Sequence, residues 1–168
     1  MSQVQNKLNI SGKNVWVFSD TDTRWIWPGF CAELQKMGYN PILFVKDLNT
    51  KKYYTELSNP FFSGTVEIMP DIYSDVASGL ISSDELSKNE IDWASTLENR
   101  FNISILRDFA LPDKHFGRPY IISGEQHPDA HIDKKINYSS TVRSIKTIFN
   151  FYDDIWTKYP PSLLLTYS

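Results

Sequence analysis

Short apolar runs alternate with amphipathic stretches along this chain, and that rhythm is the strongest constraint on its fold. The runs are NVWVFS at 14–19, PILFV at 41–45, TVEIM at 65–69 and SLLLTYS at 162–168. Runs of this length that lack a regular polar alternation are typical of strands buried on both faces of a parallel sheet. The chain is therefore predicted to form an α/β fold, a Rossmann-like open and mostly parallel sheet with helices on both faces.

The spacing of apolar residues predicts a helix after each of the first three runs and a long one before the fourth. In the first helix the apolar positions are Ile26, Phe30, Leu34 and Met37, and Gly38 follows as a left-handed cap. A short helix is predicted at 50–58. Ser82, Ser83 and Asp84 offer N-caps for the next helix. Its predicted buried stripe is Leu86, Ile91, Ala94, Leu97 and Phe101.

The region before the last run divides into a loop and a long helix. Most of 102–137 is interpreted as loop, because its apolar pieces are short and separated by charged residues and prolines. A long helix is predicted at 138–159, with Arg143 mostly off its apolar stripe. The predicted stripe of this helix is Val142, Ile145, Ile148/Phe149, Tyr152, Ile155/Trp156 and Tyr159.

Length and composition predict one domain. The chain has 168 residues with 41% hydrophobic and 22% charged content, which suffices for one sizeable core. We expect a flexible N-terminal segment at 1–13 and a single Rossmann-like domain at 14–168. Because the last apolar strand ends abruptly, this domain is expected to be the N-terminal half of a larger two-domain protein.

Charge and cysteine content exclude several classes of function. A net charge of -3 provides no general attraction to nucleic acid or to anionic membranes. Cys31 is the only cysteine, so neither an internal disulfide nor a thiolate-rich zinc site can form. The sequence shows no signal peptide and no apolar stretch of about 20 residues that could span a membrane. A cytoplasmic location is expected.

The first candidate site is Asp20-Thr21-Asp22, directly after the first apolar run. It could be the nucleophile motif of haloacid-dehalogenase-type phosphatases, but Arg24 occupies the position of the expected Thr or Val. It could be a metal-binding Asp-x-Asp that bridges an ion to a diphosphate. It could also be structural, with Asp22 or Thr23 capping the following helix.

The same segment is unsuited to binding a dinucleotide. No Gly-x-Gly-x-x-Gly follows the first run, and Gly29 is the only glycine between 19 and 30. Two carboxylates would repel a pyrophosphate, whereas they could accept hydrogen bonds from sugar hydroxyls. Trp25 and Trp27 beside them could stack on a sugar or contact a protein.

The second candidate site is SGEQHPDAH at 123–131. His127 and His131 would share a helix face, but Pro128 opposes a continuous helix through them, and no metal site is predicted. A plain polar loop remains an alternative. In the other interpretation the loop contacts substrate, and Glu125 or His127 serves as a base or hydrogen-bond partner.

A family resemblance rests on three stretches: ENRFNIS at 98–104, DKHF at 113–116, and YPPSLLL at 159–165 after the long helix. Together with the order of elements, they resemble the N-terminal half of bacterial capsule and surface polysaccharide biosynthesis proteins, which are glycosyltransferases of the two-Rossmann-domain (GT-B) type. The sequence departs from that pattern where Asp113-Lys114 replaces an Asp-Arg pair and Pro161-Ser162 replaces Pro-Asp.

The resemblance implies the acceptor-binding half of such an enzyme, which receives an acceptor glycan or lipid-linked sugar. It implies no cofactor and no obligatory metal. The nucleotide-sugar donor would be held by a second α/β domain or subunit, without which the chain is expected to be inactive. Base candidates are Asp22, Glu125 and His127. Candidate substrate-binding residues are Asp20, Arg24, Trp25, Lys114 and His131. The alternative is a non-enzymatic module that binds a sugar or partner protein, with a phosphatase less favoured.

Overall fold

The computed structural model describes residues 13–19, 26–56, 64–110, 112 and 136–165. The chain divides into two compact units. The sheet unit comprises Met1–Pro70 and Tyr152–Ser168, and the helical unit comprises Asp71–Phe151. The segment 1–13, predicted to be flexible, lies outside the described residues except for Lys13.

The sheet unit contains four parallel strands in the order β3-β2-β1-β4. They are β1 Asn14–Phe18, β2 Asn40–Val45, β3 Thr65–Ile68 and β4 Pro161–Leu165. Each corresponds to one of the four apolar runs. The Rossmann-like open parallel sheet predicted from those runs is therefore confirmed.

Helices cover both faces of this sheet. On one face, Val15 and Val17 of β1 pack with Leu43 and Val45 of β2 in a cluster that includes side chains from helices α1 (Trp27–Lys36) and α2 (Leu48–Glu56). On the other face, the Trp16 ring stacks on Tyr152 at 5.9 Å and meets Trp156 edge-on at 5.8 Å. Successive side chains of β1 thus pack on opposite faces of the sheet, as the two-residue period of a β-strand requires.

The end of α1 and the start of α2 are each explained by the residues that flank them. After α1 the chain turns at Gly38, whose φ of 86° confirms the predicted left-handed position. Helix α2 is preceded by Asp47, whose Oδ1 accepts a hydrogen bond from the Thr50 amide at 2.7 Å. The described helix begins at Leu48, two residues earlier than predicted.

The helical unit contains α3 Ile72–Ser78, α4 Lys88–Phe101, a π-helix at Ile105–Ala110, and most of α5, Tyr138–Lys158. One core cluster joins Ala94 and Leu97 of α4 to Val142 and Ile145 of α5. A second contains Val76, Ile81 and Ala110. No helix in the described ranges is long and apolar enough to cross a membrane.

Helix α4 begins later than predicted. Its N-cap is Ser87, not a residue of 82–84, because Ser87 and Glu90 form a reciprocal capping box. Ala94 and Leu97 are buried as predicted, but Ile91 and Phe101 are half exposed. The side chain next to Ile91, that of Glu90, is mostly buried and pairs with Arg143.

The region 102–137, predicted to be mostly loop, contains the π-helix in its described part. Helix α3 was likewise not predicted from the sequence. Val76 of α3 and Ala110 of the π-helix are buried in the same core cluster. Neither segment is long enough to show a helical period by itself.

Helix α5 and strand β4 occur where predicted, but parts of both are more exposed than expected. Trp156 is 54% exposed, and Leu163 and Leu164 of β4 are 45% and 53% exposed. In the described sheet β4 pairs with β1 alone and is therefore an edge strand. An apolar run does not distinguish an edge strand from a central one.

Candidate functional site

The strand order locates a candidate site at the carboxyl ends of β1 and β4. From β1 the chain proceeds outward to β2 and β3, and then returns to place β4 on the other side of β1. This reversal is a topological switch point, where open α/β sheets bind ligands outside the carboxyl ends of their strands. The segment 20–25 is covalently attached to the end of β1 at this point.

Ser19 is the last described residue before that segment, and it is buried. Its amide donates to the Phe44 carbonyl at 3.0 Å, and its hydroxyl lies 3.3 Å from the Tyr54 hydroxyl. Tyr54 comes from α2 and its ring belongs to the sheet-unit core. The start of the candidate loop is therefore fixed by a backbone bond to β2 and a hydroxyl contact to α2.

One cation, Lys46, and one carboxylate, Asp47, follow the carboxyl end of β2, next to the carboxyl end of β1. Lys46 is exposed, whereas the carboxylate of Asp47 is engaged at the start of α2. The sheet continues one residue further here, because the Met69 amide donates to the Val45 carbonyl at 2.8 Å. Of these two side chains, Lys46 is the more exposed.

The start of α1 contradicts the capping interpretation of Asp22 and Thr23. The helix begins at Trp27, and its N-cap position is Ile26, which makes no side-chain cap bond. Pro28 occupies the first turn, where a missing amide hydrogen costs nothing and the fixed φ favours a helix start. Neither Asp22 nor Thr23 therefore occupies the N-cap position.

All eight predicted site residues lie outside the described residues, so the structure does not test their grouping. They are Asp20, Asp22, Arg24, Trp25, Lys114, Glu125, His127 and His131. Their roles remain predictions. The described structure adds to them the buried Ser19 and Tyr54 pair, which links the end of β1 to α2. Sequence offered no signal for this pair, because 35 residues separate its members and only the docking of α2 joins them.

Part of the motif behind the family resemblance has a structural role. Glu98 accepts a hydrogen bond from the Ile105 amide at 2.7 Å, at the start of the π-helix. Asn102 ends α4 in the left-handed conformation, with a φ of 52° and a ψ of 47°. Arg107 forms a double hydrogen bond with Asp108, which lowers the pKa of that exposed carboxyl to about 2. The contacts of Glu98 and the left-handed Asn102 explain ENRFNIS as the end of a helix.

Nucleophile and metal chemistry find little support in the described part of the chain. Burial raises the pKa of the Cys31 thiol to about 12, so the reactive thiolate is scarce at neutral pH. Within the described ranges, no group of three or more His, Cys, Asp or Glu side chains could hold a metal ion.

Comparison with known proteins gives no relative from which a role could be transferred. No protein-family model, no curated protein and no solved structure matches this chain. The site is therefore defined by its own geometry: a topological switch point, a buried hydroxyl pair at Ser19 and Tyr54, and an attached segment rich in carboxylate and indole groups.

Proposed function

We propose that this chain is the acceptor-side domain of a cytoplasmic glycosyltransferase that acts in surface polysaccharide biosynthesis. The observation that carries the proposal is the strand order β3-β2-β1-β4. In this order, the segment with Asp20, Asp22 and Trp25 is attached to β1 at the switch point. Ligands of open α/β sheets bind at that location.

The chemistry of the segment suits a carbohydrate better than a diphosphate. Carboxylates accept hydrogen bonds from sugar hydroxyls, and an indole ring offers an apolar face to a pyranose. The same carboxylates would repel a diphosphate. The N-cap position of α1 is Ile26, so the proposal does not compete with a capping role of Asp22 at that position.

In the proposed reaction a base on this chain removes the proton from an acceptor hydroxyl. The resulting oxygen attacks the anomeric carbon of the donor sugar, and the bond to the nucleoside diphosphate breaks with its electron pair on the leaving group. Asp22, Glu125 and His127 are the proposed base candidates. Arg24, Lys114 and His131 would orient the acceptor, while a second α/β domain or subunit would hold the donor.

Binding measurements test this proposal. Calorimetry with di- to tetrasaccharides of glucose, galactose, N-acetylglucosamine and glucuronic acid is expected to reveal a glycan ligand. Asp22→Asn and Trp25→Ala should each weaken its binding about tenfold or more, because each removes a direct contact. Asp92→Asn, a matched change on the exposed surface of α4, should leave binding unchanged.

Two results would contradict the acceptor-side assignment. One is binding of a nucleotide sugar through its diphosphate with no response to any glycan. The other is magnesium-dependent hydrolysis of p-nitrophenyl phosphate that disappears in Asp20→Asn, since this outcome identifies a phosphatase.

A second candidate is a non-enzymatic module that binds a partner protein. It is favoured by exposed apolar side chains in the sheet unit, namely Trp156, Leu163 and Leu164. Such side chains are typical anchors of protein interfaces when they form a patch. Leu164→Lys would then abolish co-purification of the partner, and Asp22→Asn would not. The opposite pattern supports the carbohydrate site.

A further inference from the structure

The outer edge of β4 offers backbone groups that identify the kind of partner it can bind. In the described sheet, β4 pairs with β1 along one side only. The other side of an edge strand presents N–H and C=O groups that form a template for pairing with another strand. The partner of this edge is therefore an extended segment of polypeptide that is recognised through its backbone.

The side chains of β4 show that an added strand would cover apolar surface on both faces of the sheet. Leu163 and Leu164 are consecutive, so they lie on opposite faces, and each is about half exposed. Leu164 is the register partner of Trp16, whose ring meets the half-exposed Trp156. Leu164 and Trp156 therefore lie on the same face of the sheet. A strand beside β4 would shield leucine on each face.

The opposite edge of the described sheet differs from the β4 edge. Strand β3 carries Glu67 in its interior, and none of its four side chains is exposed. A charge within an edge strand is a common device against pairing with another chain. By contrast, the stretch YPPSLLL at 159–165 contains no charged residue. The edge that exposes leucine is thus also the edge that lacks a protecting charge.

A second copy of this chain supplies a strand that meets these requirements, namely its own β4. Antiparallel pairing of two β4 strands about a two-fold axis joins the two sheets and leaves the β3 strands, with Glu67, at both outer edges. Such an interface uses the same surface on both copies and closes as a dimer. Pairing of β4 with β3 of another copy would continue without closing, and Glu67 opposes it.

The register of the pairing follows from the regular part of β4. Its pairing with β1 is irregular at Ser162 and regular from Leu163 to Leu165. A two-fold axis at Leu164 centres the antiparallel pair on this regular part. Leu164 then lies opposite Leu164 of the second copy, and Leu163 lies opposite Leu165.

We propose that two copies of this chain associate through antiparallel pairing of their β4 strands, with Leu164 at the two-fold axis. Backbone hydrogen bonds and leucine contacts on both faces stabilise the dimer. Because the strand is uncharged, no like charges meet when it faces itself. The inference is independent of the proposed carbohydrate site, since it uses no residue assigned to that site.

Sedimentation velocity of the full chain, from micromolar to millimolar concentration, tests the pairing. The wild type is expected to sediment as a dimer in the upper part of this range. Leu164→Lys and Leu164→Glu should each weaken dimerisation about tenfold or more, because each removes two buried leucines and places two like charges opposite one another. An equimolar mixture of the two variants should restore the dimer, because opposite charges then face each other across the axis.

Leu80→Lys is the matched control, since it introduces the same charge at a leucine that is more exposed and lies in the helical unit. It should dimerise like the wild type. Restoration of the dimer in the mixture would also exclude misfolding as the cause of the loss. A wild type that stays monomeric at millimolar concentration, a dimer that Leu164→Lys leaves intact, or a mixture of the two charged variants that stays monomeric would overturn the proposal.

Discussion

At the scale of single residues, Arg143 organises much of the helical unit. Its Nε and Nη2 donate to the two carboxylate oxygens of Glu90 at 2.7 and 3.1 Å. Its remaining donors bond the backbone carbonyls of Ser82, Asp84 and Glu85 at 2.8 to 3.0 Å. The guanidinium therefore fixes the turn that leads into α4. This residue was predicted to lie mostly off the apolar stripe of α5, yet it is half-buried by these contacts.

The Glu90 carboxylate makes stability depend on pH in a defined window. Hydrogen bonds from Arg143 and Ser87 lower the pKa of Glu90 from 4.5 to about 2. Because the pKa is lower in the folded state, the stabilisation is complete above about pH 4.5 and is lost as the pH falls toward 2. Glu90→Gln should reduce the free energy of unfolding by about 2 kcal/mol at pH 7.

Urea unfolding at several pH values measures this effect. The difference between wild type and Glu90→Gln should shrink as the pH falls from 4.5 to 2. Glu85→Gln changes an exposed carboxylate in the same turn and should follow the wild-type profile. A constant difference between wild type and Glu90→Gln at every pH would contradict the assignment.

At the scale of elements, α4 is defined by its two ends. A capping box of Ser87 and Glu90 begins the helix, and Asn102 ends it in the left-handed conformation. The N-cap candidates named from the sequence, at 82–84, placed its start too early. Capping chemistry is visible in the sequence, but Ser82, Ser83, Asp84 and Ser87 all offer it. The Glu90 bonds to Ser87 decide among them.

The left-handed C-cap predicts opposite responses at two asparagines. Asn102→Gly should keep or slightly raise the free energy of unfolding, and Asn102→Val should lower it by about 1 to 2 kcal/mol. At Asn99, an exposed position inside α4, Gly should instead be the more destabilising replacement, by a few tenths of a kcal/mol. Thermal unfolding of the four variants tests this. The same order of Gly and Val at both positions would refute the C-cap assignment.

At the scale of the whole molecule, Trp16 links the elements of the sheet unit. Its ring meets Phe44 of β2 at 5.2 Å and Tyr152 of α5 at 5.9 Å. Its Nε1 donates to the Tyr159 carbonyl at 2.8 Å, just before β4. The same side chain thus contacts the neighbouring strand β2 and the residue that connects α5 to β4.

Replacing Trp16 should destabilise the sheet unit, and alanine should cost more than phenylalanine. Trp16→Phe keeps an aromatic ring and loses the bond to Tyr159, at a cost of about 1 to 2 kcal/mol. Trp16→Ala also leaves a large void and should cost about 3 to 5 kcal/mol. Trp156→Phe alters a half-exposed ring in the same cluster and should cost less than about 1 kcal/mol. Urea unfolding monitored by circular dichroism measures all three, and equal costs at 16 and 156 would contradict this role.

The sequence by itself determined the class of the fold and the positions of its strands. Runs such as PILFV and the glycine at 38 carry that information locally, because burial on both faces and a left-handed turn each restrict residue type. Only the tertiary structure decided that β4 is an edge strand beside β1, that Glu90 turns inward, and that Ser19 meets Tyr54. The physical reason is that a local pattern shows which face of an element is apolar. It does not show which distant element covers that face.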